Sequence, residues 1–261
     1  MHEHELTKNA LAKGQVLMVC TSCHSVGDRK DTGVWLSEVA VPYYIFRDNG
    51  YDVTICSING GEVPVDQAGL SDAEKKSHPE LAHFLVDDAA MLQLRNSVPL
   101  ASVKEPPAYA CVFLAGGHGA MGDMPNNPEL ARVVGEMARL GHLVAAVCHG
   151  PAGLLGVKDA EGKPLVAGKT VACFTPAEEE KTGAAASMPF QLEAKLKELG
   201  ANVRCEGVDE ENAVRDTFLV TGQNHNSSAR VASLVLEALS VHPAAPGAAI
   251  VGHAAGAVAE A

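Results

Sequence analysis

The chain alternates short apolar runs with longer amphipathic segments, and this alternation restricts its fold more than any other feature of the sequence. Six runs of four to six residues are apolar on both faces, which is typical of parallel strands buried inside a sheet. These predicted strands cover residues 15–20, 52–56, 110–114, 143–147, 170–173 and 217–221. Strands that alternate with helices predict βαβ units, so we expect a doubly wound, mostly parallel α/β sheet flanked by helices.

Three segments between and after these strands have a clear helical pattern. In the segment 128–140 apolar side chains recur at helical spacing, and Gly141 follows as a stop signal. Pro189 predicts the start of a second helix. Asn226 or Ser227 is predicted to cap the last helix.

The predicted elements form one domain of residues 12–241, because no linker rich in Pro, Ser or Gly divides the middle of the chain. Residues 62–109 are a polar insertion between two strands, with a predicted helix around residues 81–94. An insertion of this length is typical of a lid or an interface, so we predict that it forms a cap. The segment 242–261 consists mostly of Ala, Gly, Pro and Val and is predicted to be a disordered tail.

The charge of the chain argues against nucleic-acid and membrane partners. Its 261 residues include 20 Lys and Arg against 32 Asp and Glu, a net charge of -12, whereas binding to phosphate backbones needs a basic face. No apolar run approaches the roughly 18 to 20 residues of a membrane span, and the N-terminal residues contain no apolar signal core. We therefore expect a soluble, cytoplasmic protein.

Cys148 lies in the strongest local motif of the sequence. The predicted strand 143–147 leads directly into Cys148-His149-Gly150-Pro151, and Pro151 suits the first turn of a helix. This pattern is typical of a nucleophile elbow, a strained strand-to-helix turn that lifts a nucleophile above the sheet. The positive end of the helix is expected to lower the pKa of the Cys148 thiol. The alternative is an unreactive cysteine buried at the end of a strand, as we expect for most of the seven cysteines.

A glycine-rich loop follows the predicted strand 110–114. It contains Gly116, Gly117 and His118, and its backbone N–H groups are candidate donors to a substrate oxyanion together with the N–H of His149. Because ligands bind at the carboxyl ends of parallel strands, we expect this loop to lie beside Cys148. The alternative is a glycine-rich connection that binds nothing.

Acidic residues complete the candidate site. Glu38 lies in an otherwise apolar stretch, so we expect a partly buried carboxyl group with a raised pKa that acts as a general acid or base; the alternative is a solvated helix charge. Glu178, Glu179 and Glu180 lie at a predicted helix start, where acidic residues suit the helix dipole. One of these three residues is also a candidate to orient a histidine.

No metal or cofactor is expected from the sequence. The C-x-x-C-H pattern at residues 20–24 is interpreted as coincidental, because Cys20 belongs to the first predicted strand and no axial haem ligand is evident. The remaining histidines show no metal-ligand spacing.

At these residues the chain resembles the ThiJ/PfpI superfamily, whose flavodoxin-like fold is similar to that of the class I glutamine amidotransferases. The resemblance runs from about residue 15 to residue 239 and is closest to the branch of glyoxalase III enzymes and heat-shock chaperones. It rests on TGVWLSE at residues 32–38, AGGHG at 115–119, AVCHGP at 146–151, FT with the glutamate run at 174–180, and VTGQN at 220–224.

The resemblance implies a role for each candidate residue. Cys148 matches the family nucleophile, His149 its partner, and Glu38 the acid beside the thiol. Glu179 matches the third member of the triad by its spacing, with the two neighbouring glutamates as alternatives. Gly117 and the backbone of His149 match the oxyanion hole.

The resemblance also implies an activity. We expect a glutathione-independent glyoxalase that converts methylglyoxal or glyoxal into the 2-hydroxy acid through a hemithioacetal on Cys148, without a cofactor. A cysteine peptidase or amidase, a protein deglycase, and a holdase chaperone or redox sensor are the alternatives. Because members of the superfamily are often dimers, a homodimer is expected.

The sequence departs from the usual pattern of this branch at two residues near the motifs. Cys23 stands where no cysteine is typical, and His225 replaces the more usual proline after Gly-Gln-Asn. We expect both side chains to border the substrate pocket.

Overall fold

The computed structural model describes residues 12–241, and its main sheet has seven strands. The strands in these residues are β1 (Gln15–Cys20), β2 (Asp52–Ser57), β3 (Val98–Pro99), β4 (Cys111–Leu114), β5 (Leu143–Val147), β6 (Thr170–Val171), β7 (Asn202–Val203), β8 (Ala213–Asp216) and β9 (Leu219–Gly222). The order in the main sheet is β3-β2-β1-β4-β5-β9-β8, and only β8 is antiparallel to its neighbour. β6 and β7 form a separate parallel pair.

Helices cover both faces of the main sheet. Those in the described residues are α1 (Ser37–Asp48), α2 (Asp72–Ser77), α3 (Pro79–Phe84), α4 (Asp88–Arg95), α5 (Ala120–Asp123), α6 (Pro128–Arg139), α7 (Pro176–Thr182), α8 (Leu192–Glu198) and α9 (Ser228–Val241). α1 and α9 pack against one face, whereas α6 and α8 pack against the other.

The alternation of side chains along β1 explains why its sequence is apolar throughout. Val16 and Met18 belong to the core beneath α1 and α9, whereas Leu17 and Val19 belong to the core on the α6 side. Successive side chains of a strand point to opposite faces, so a strand with two buried faces needs an unbroken apolar run. The predicted doubly wound fold is confirmed.

The cysteines in the strands behave as core residues. Cys20, Cys56 and Cys111 are buried, and burial raises the pKa of each thiol well above its ordinary value. Their thiols are therefore protonated and inert at neutral pH.

The predicted strand 170–173 lies outside the main sheet, which corrects the sequence-based expectation. The N–H of Thr170 donates to the Asp216 carboxylate (2.8 Å) and the N–H of Ala172 donates to the Thr221 hydroxyl (2.8 Å). Because side chains of β8 and β9 take these donors, the segment does not join their backbone ladder.

Within the insertion 62–109, the single helix predicted around residues 81–94 is replaced by two, α3 and α4. Asp87 accepts hydrogen bonds from the N–H groups of Ala89 and Ala90, so it caps α4 and separates this helix from α3. After α4 the insertion contributes β3, which extends the sheet beside β2.

The remaining boundaries differ slightly from those predicted. The helix expected at Pro189 begins at Leu192, and the last helix begins at Ser228 after a 3-10 turn that Asn224 caps. The predicted tail 242–261 lies outside the described residues. Every helix within residues 12–241 is too short or too polar to span a lipid bilayer.

Candidate active site

Cys148 lies at the end of β5 in a strained turn. Its φ of 61° is in the left-handed region, which non-glycine residues seldom adopt and which costs roughly 1–3 kcal/mol. Its N–H donates to the carbonyl of Gly222 (3.0 Å), and its carbonyl accepts from the N–H of Phe174 (2.9 Å). These two bonds hold the turn in the geometry of a nucleophile elbow.

The turn continues into a 3-10 helix, Gly150–Leu154, that packs closely against the end of β4. A Cβ atom at Gly150 would lie 2.2 Å from the carbonyl oxygen of Leu114. Only glycine fits at this position, which explains why a glycine follows the Cys-His pair.

His149 links Cys148 to Glu179. The Cys148 sulfur lies 3.3 Å from Nδ1 of His149, and Nε2 of the same ring lies 2.6 Å from Oε1 of Glu179. Burial and the neighbouring His118 lower the pKa of His149, so the ring is neutral at pH 7. A neutral ring that donates from Nε2 to the carboxylate presents the Nδ1 lone pair to the thiol, which is the arrangement of a general base.

Glu179 is a fixed anion. Burial alone would raise its pKa, but hydrogen bonds and charge interactions with His118 and His149 outweigh this effect and lower the pKa to about 2. Its second oxygen, Oε2, lies 3.1 Å from Nε2 of His118. The side chain of His118 therefore positions Glu179, a contact that sequence reasoning missed because the two residues are far apart along the chain.

The structure distinguishes the three consecutive glutamates. Glu178 accepts hydrogen bonds from the N–H and hydroxyl of Thr175 in a capping box, and from the side-chain amide of Asn224. Glu180 is exposed. Of these three glutamates, Glu179 is the one whose carboxylate hydrogen-bonds to His118 and His149.

Glu38 lies in the first turn of α1 and is fully buried. Its Oε2 accepts a hydrogen bond from the N–H of Gly116 (2.7 Å). Burial raises the pKa of Glu38 to about 8, although the Cys148 thiol and the Gly116 N–H favour the charged form. Glu38 is therefore largely protonated at neutral pH and able to donate a proton as well as accept one.

The pKa of Cys148 is raised well above its ordinary value, which is opposite to the sequence-based expectation. Burial is the largest cause, and the nearby Glu38 is the next. The 3-10 helix that follows has only five residues, so its dipole is small. Cys148 is thus a protonated thiol at rest, and a nucleophilic role would require transfer of its proton to Nδ1 of His149 before attack.

Two backbone N–H groups beside Cys148 are the candidate donors to a substrate oxyanion. The N–H of Gly117 interacts with the Cys148 sulfur and lowers its pKa, and the N–H of His149 donates to no acceptor within residues 12–241. Gly117 has a φ of 87°, and a Cβ there would lie 2.3 Å from the carbonyl oxygen of Gly33. The N–H of Gly116 was also a candidate oxyanion donor, but it is not available, because it already donates a hydrogen bond to Glu38.

A cavity of about 50 Å³ opens above Cys148. A single water needs roughly 10–15 Å³ measured in this way, so the cavity holds a molecule of only a few heavy atoms. Its walls are formed by Trp35, Glu38, Gly117, His118, Cys148, His149, Phe174, Thr182, Asp209 and His225. No residue of the insertion 62–109 is among these, so the predicted cap does not line the cavity and instead contacts the wall residues Trp35, His118 and His225 from outside.

The two unusual residues of the sequence have different positions. His225 lines the cavity, as expected. Cys23 does not: its thiol donates to the carbonyl of Ser25 (2.9 Å) and packs against Gly122. Asp209, which was not predicted, lines the cavity beside His225.

His118, His149 and Glu179 also place three potential metal ligands within 4.8 Å of one another. A cation bound to the two Nε2 atoms would displace the hydrogen bonds that they make with Glu179. The short His149–Glu179 hydrogen bond instead suits proton transfer.

The sheet topology and the arrangement of side chains around Cys148 together indicate one protein family. The family model of DJ-1/PfpI matches residues 31–238, so the chain belongs to the DJ-1/PfpI family and the predicted resemblance is confirmed.

Three relatives cover nearly the whole described chain. The glutathione-independent glyoxalase hsp3102 of Schizosaccharomyces pombe is 32% identical over 245 residues, covering 88% of this chain and 100% of that protein. The structure of the Rapid Encystment Protein 24 kDa of Francisella tularensis is 33% identical, covering 87% of this chain and 99% of that one, with a TM-score of 0.81. The structure of glyoxalase III from Candida albicans is 27% identical, covering 87% and 97%, with a TM-score of 0.79.

The raised pKa of Glu38 predicts how stability depends on pH. Since the folded-state pKa of about 8 exceeds the ordinary value of 4.5, the stabilisation from this group is complete below pH 4.5 and is lost as the pH rises towards 8. We expect the free energy of unfolding of the wild type, relative to Glu38→Gln, to fall over this range by up to about 1.4 kcal/mol per pH unit.

Urea denaturation at a series of pH values measures this difference. Glu105→Gln is the matched control, because Glu105 is exposed and its loss should leave the pH dependence unchanged. Parallel stability profiles for the wild type and Glu38→Gln would contradict the raised pKa.

Proposed function

We propose that this protein is a glutathione-independent glyoxalase that converts methylglyoxal or glyoxal into the corresponding 2-hydroxy acid. The observation that carries the proposal is the buried carboxyl group of Glu38, with its pKa raised to about 8, in the same cavity as Cys148. A hydrolase needs only the nucleophile, base and oxyanion donors, whereas an aldehyde isomerisation also needs a group that moves a proton between two carbons. The names of hsp3102 and of the Candida albicans enzyme support the same activity.

The first step forms a bond between the Cys148 sulfur and the aldehyde carbon. His149 takes the thiol proton at Nδ1, and the imidazolium that forms is stabilised by Glu179 at Nε2. The aldehyde oxygen becomes an alkoxide within reach of the N–H groups of Gly117 and His149. Return of the proton gives a neutral hemithioacetal.

The second step moves a proton from the first carbon of the hemithioacetal to the second. The C1 proton leaves to a base, its electron pair forms the C1=C2 double bond, and the C2 oxygen takes a proton to give an enediol. Protonation at C2 with loss of the C1 hydroxyl proton then gives a 2-hydroxyacyl thioester, so that one proton has moved between the carbons and one between the oxygens. Ionised Glu38 is the base and its protonated form is the acid. Its Oε1 has no hydrogen-bond partner within residues 12–241 and is free for this exchange. A pKa of about 8 suits a group that both accepts and donates protons near neutral pH.

In the last step water attacks the thioester carbonyl and the sulfur leaves, which releases the 2-hydroxy acid and restores Cys148. His149 removes a proton from the water, as it removed the thiol proton earlier. The overall reaction adds one water to the 2-oxoaldehyde and needs no outside oxidant or reductant.

The size of the cavity favours a small aldehyde over a peptide. A volume of about 50 Å³ accommodates a molecule of a few heavy atoms, whereas a peptide or a glycated protein side chain requires an open groove. The homodimer, the cytoplasmic location and the absence of nucleic-acid partners stay predictions.

Substitution of Cys148 tests the activity directly. We expect the wild type to form lactate from methylglyoxal without glutathione and Cys148→Ala to lose this activity by at least about 10³-fold, because the covalent intermediate cannot form. Lactate is measured enzymatically or by NMR. Cys23→Ala is the matched control, since its thiol lies outside the cavity, and it should keep wild-type activity.

Equal lactate formation by the wild type and Cys148→Ala would contradict the proposal. Release of a fluorogenic amide in preference to lactate would favour the hydrolase alternative. Suppression of client aggregation that survives Cys148→Ala would show a chaperone activity independent of this site.

Substitution of the glutamates tests the identity of the triad member. We expect Glu179→Gln to lower kcat by roughly 10²-fold or more, because the imidazolium of His149 loses its anionic partner. Glu180→Gln should have wild-type kinetics, since this side chain is exposed. Glu178→Gln should lower thermal stability more than kcat, because its carboxylate caps α7.

Steady-state kinetics and thermal melts of the three variants separate these effects. A large loss of kcat in Glu180→Gln, with normal activity of Glu179→Gln, would rule out the triad described here.

A further inference from the structure

A second group of metal-ligating side chains lies next to the catalytic cavity. We propose that Glu74, His78 and His225 bind a divalent transition-metal cation, with Zn²⁺ as the ion whose ligand preferences fit best. The three ligand atoms lie within 4.8 Å of one another. The proposed catalytic steps use none of these three side chains.

The distances between the side-chain atoms of this cluster are too long for good hydrogen bonds but close to those of a metal site. Nε2 of His78 lies 3.6 Å from Oε1 of Glu74, and Nε2 of His225 lies 3.7 Å from Oε2 of the same carboxylate. Both distances are too long for good hydrogen bonds. Metal–ligand bonds of about 2.0–2.2 Å place neighbouring ligand atoms of a tetrahedral zinc site roughly 3.3–3.6 Å apart, so a small inward movement completes the site.

The ligand atoms are oriented before a cation arrives. The indole N–H of Trp35 (2.8 Å) and the hydroxyl of Ser37 (2.7 Å) donate to Oε1 of Glu74 and fix the carboxylate. Such outer hydrogen bonds are typical of metal sites, where they hold ligating carboxylates in place. Nε2 of His78 is buried and has no hydrogen-bond partner within residues 12–241, so its ligand capacity is unused.

The three side chains are mostly buried, and their remaining exposure leaves one side of the site open to solvent. Their exposed fractions are 9% for Glu74, 14% for His78 and 23% for His225. Two imidazole nitrogens and one carboxylate, with room for water, form a ligand set that zinc and related first-row cations bind.

The three ligands come from two separate parts of the chain, which a bound cation would connect. Glu74 lies in α2 and His78 directly follows it, whereas His225 begins the 3-10 turn before α9 and also lines the cavity. A bound cation would therefore tie the insertion 62–109 to the domain at the edge of the substrate cavity. The sequence hides this site, because only Glu74 and His78 are close along the chain.

Zinc titration of the untagged, EDTA-treated full-length protein tests the proposal. Calorimetry follows binding, and absorption of bound Co²⁺ reports the geometry independently of enzymatic activity. Because His2 and His4 near the N-terminus are themselves potential ligands, each titration is repeated in a His2→Asn/His4→Asn background. Circular dichroism confirms that each variant is folded.

We expect one Zn²⁺ to bind in that background and to raise the Tm. His78→Asn, His225→Asn and Glu74→Gln should each weaken binding at least about tenfold. Glu74→Gln keeps an oxygen for Trp35 and Ser37, so it tests the charge without removing these hydrogen bonds. His83→Asn is the matched control in the same insertion and should bind like the parent.

Three results would overturn the proposal. They are the absence of Zn²⁺ binding by the parent, unchanged affinity in the folded His78→Asn and His225→Asn variants, and loss of binding in His118→Asn alone. The last result would assign the cation to the cluster of His118, His149 and Glu179. None of these results depends on lactate formation, so the failure of this inference is distinguishable from failure of the proposed glyoxalase activity.

Discussion

The hydrogen bond from the N–H of Gly116 to the buried carboxyl group of Glu38 joins the parts of the molecule on which the site depends. It ties the first turn of α1 to the loop after β4. A Cβ at Gly116 would lie 2.6 Å from the nitrogen of His149 and 2.8 Å from Oε2 of Glu38, so the same glycine also lets the loop pack against the cysteine turn. The parallel sheet brings these loops to one edge, and the hydrogen bond fixes their spacing.

The two carboxyl groups of the site have opposite electrostatic environments. Burial raises the pKa of Glu38 to about 8, whereas the contacts with His118 and His149 lower that of Glu179 to about 2. One group is therefore able to exchange a proton near neutral pH, and the other stays an anion that stabilises the imidazolium of His149. In the proposed mechanism this separation of pKa values makes Glu38 the proton carrier and Glu179 the positioning residue.

The features that depend on local sequence could be predicted, and those that depend on contacts between distant segments could not. The buried strands and the Cys148 turn have patterns within a few residues, so the sheet and the strained turn could be predicted, whereas the role of Cys148 as nucleophile stays a prediction. Consecutive helical residues point about 100° apart, so choosing Glu179 over its neighbours required the packing of α7 against the histidines. The contact between His118 and Glu179, the separation of β6 from the main sheet and the high pKa of Cys148 all arise from burial and tertiary contacts.

In the proposed reaction Glu38 carries a proton between two carbons of a bound aldehyde through an enediol. Conversion of methylglyoxal in D₂O, followed by NMR of the lactate, shows whether this proton exchanges with solvent. Because a proton held on a carboxyl group exchanges with D₂O that enters the cavity, we predict deuterium at C2 of the product. Lactate with only the original hydrogen at C2 would show transfer without exchange, by a hydride shift or within a site closed to solvent, and would contradict proton transfer through a Glu38 carboxyl group open to solvent.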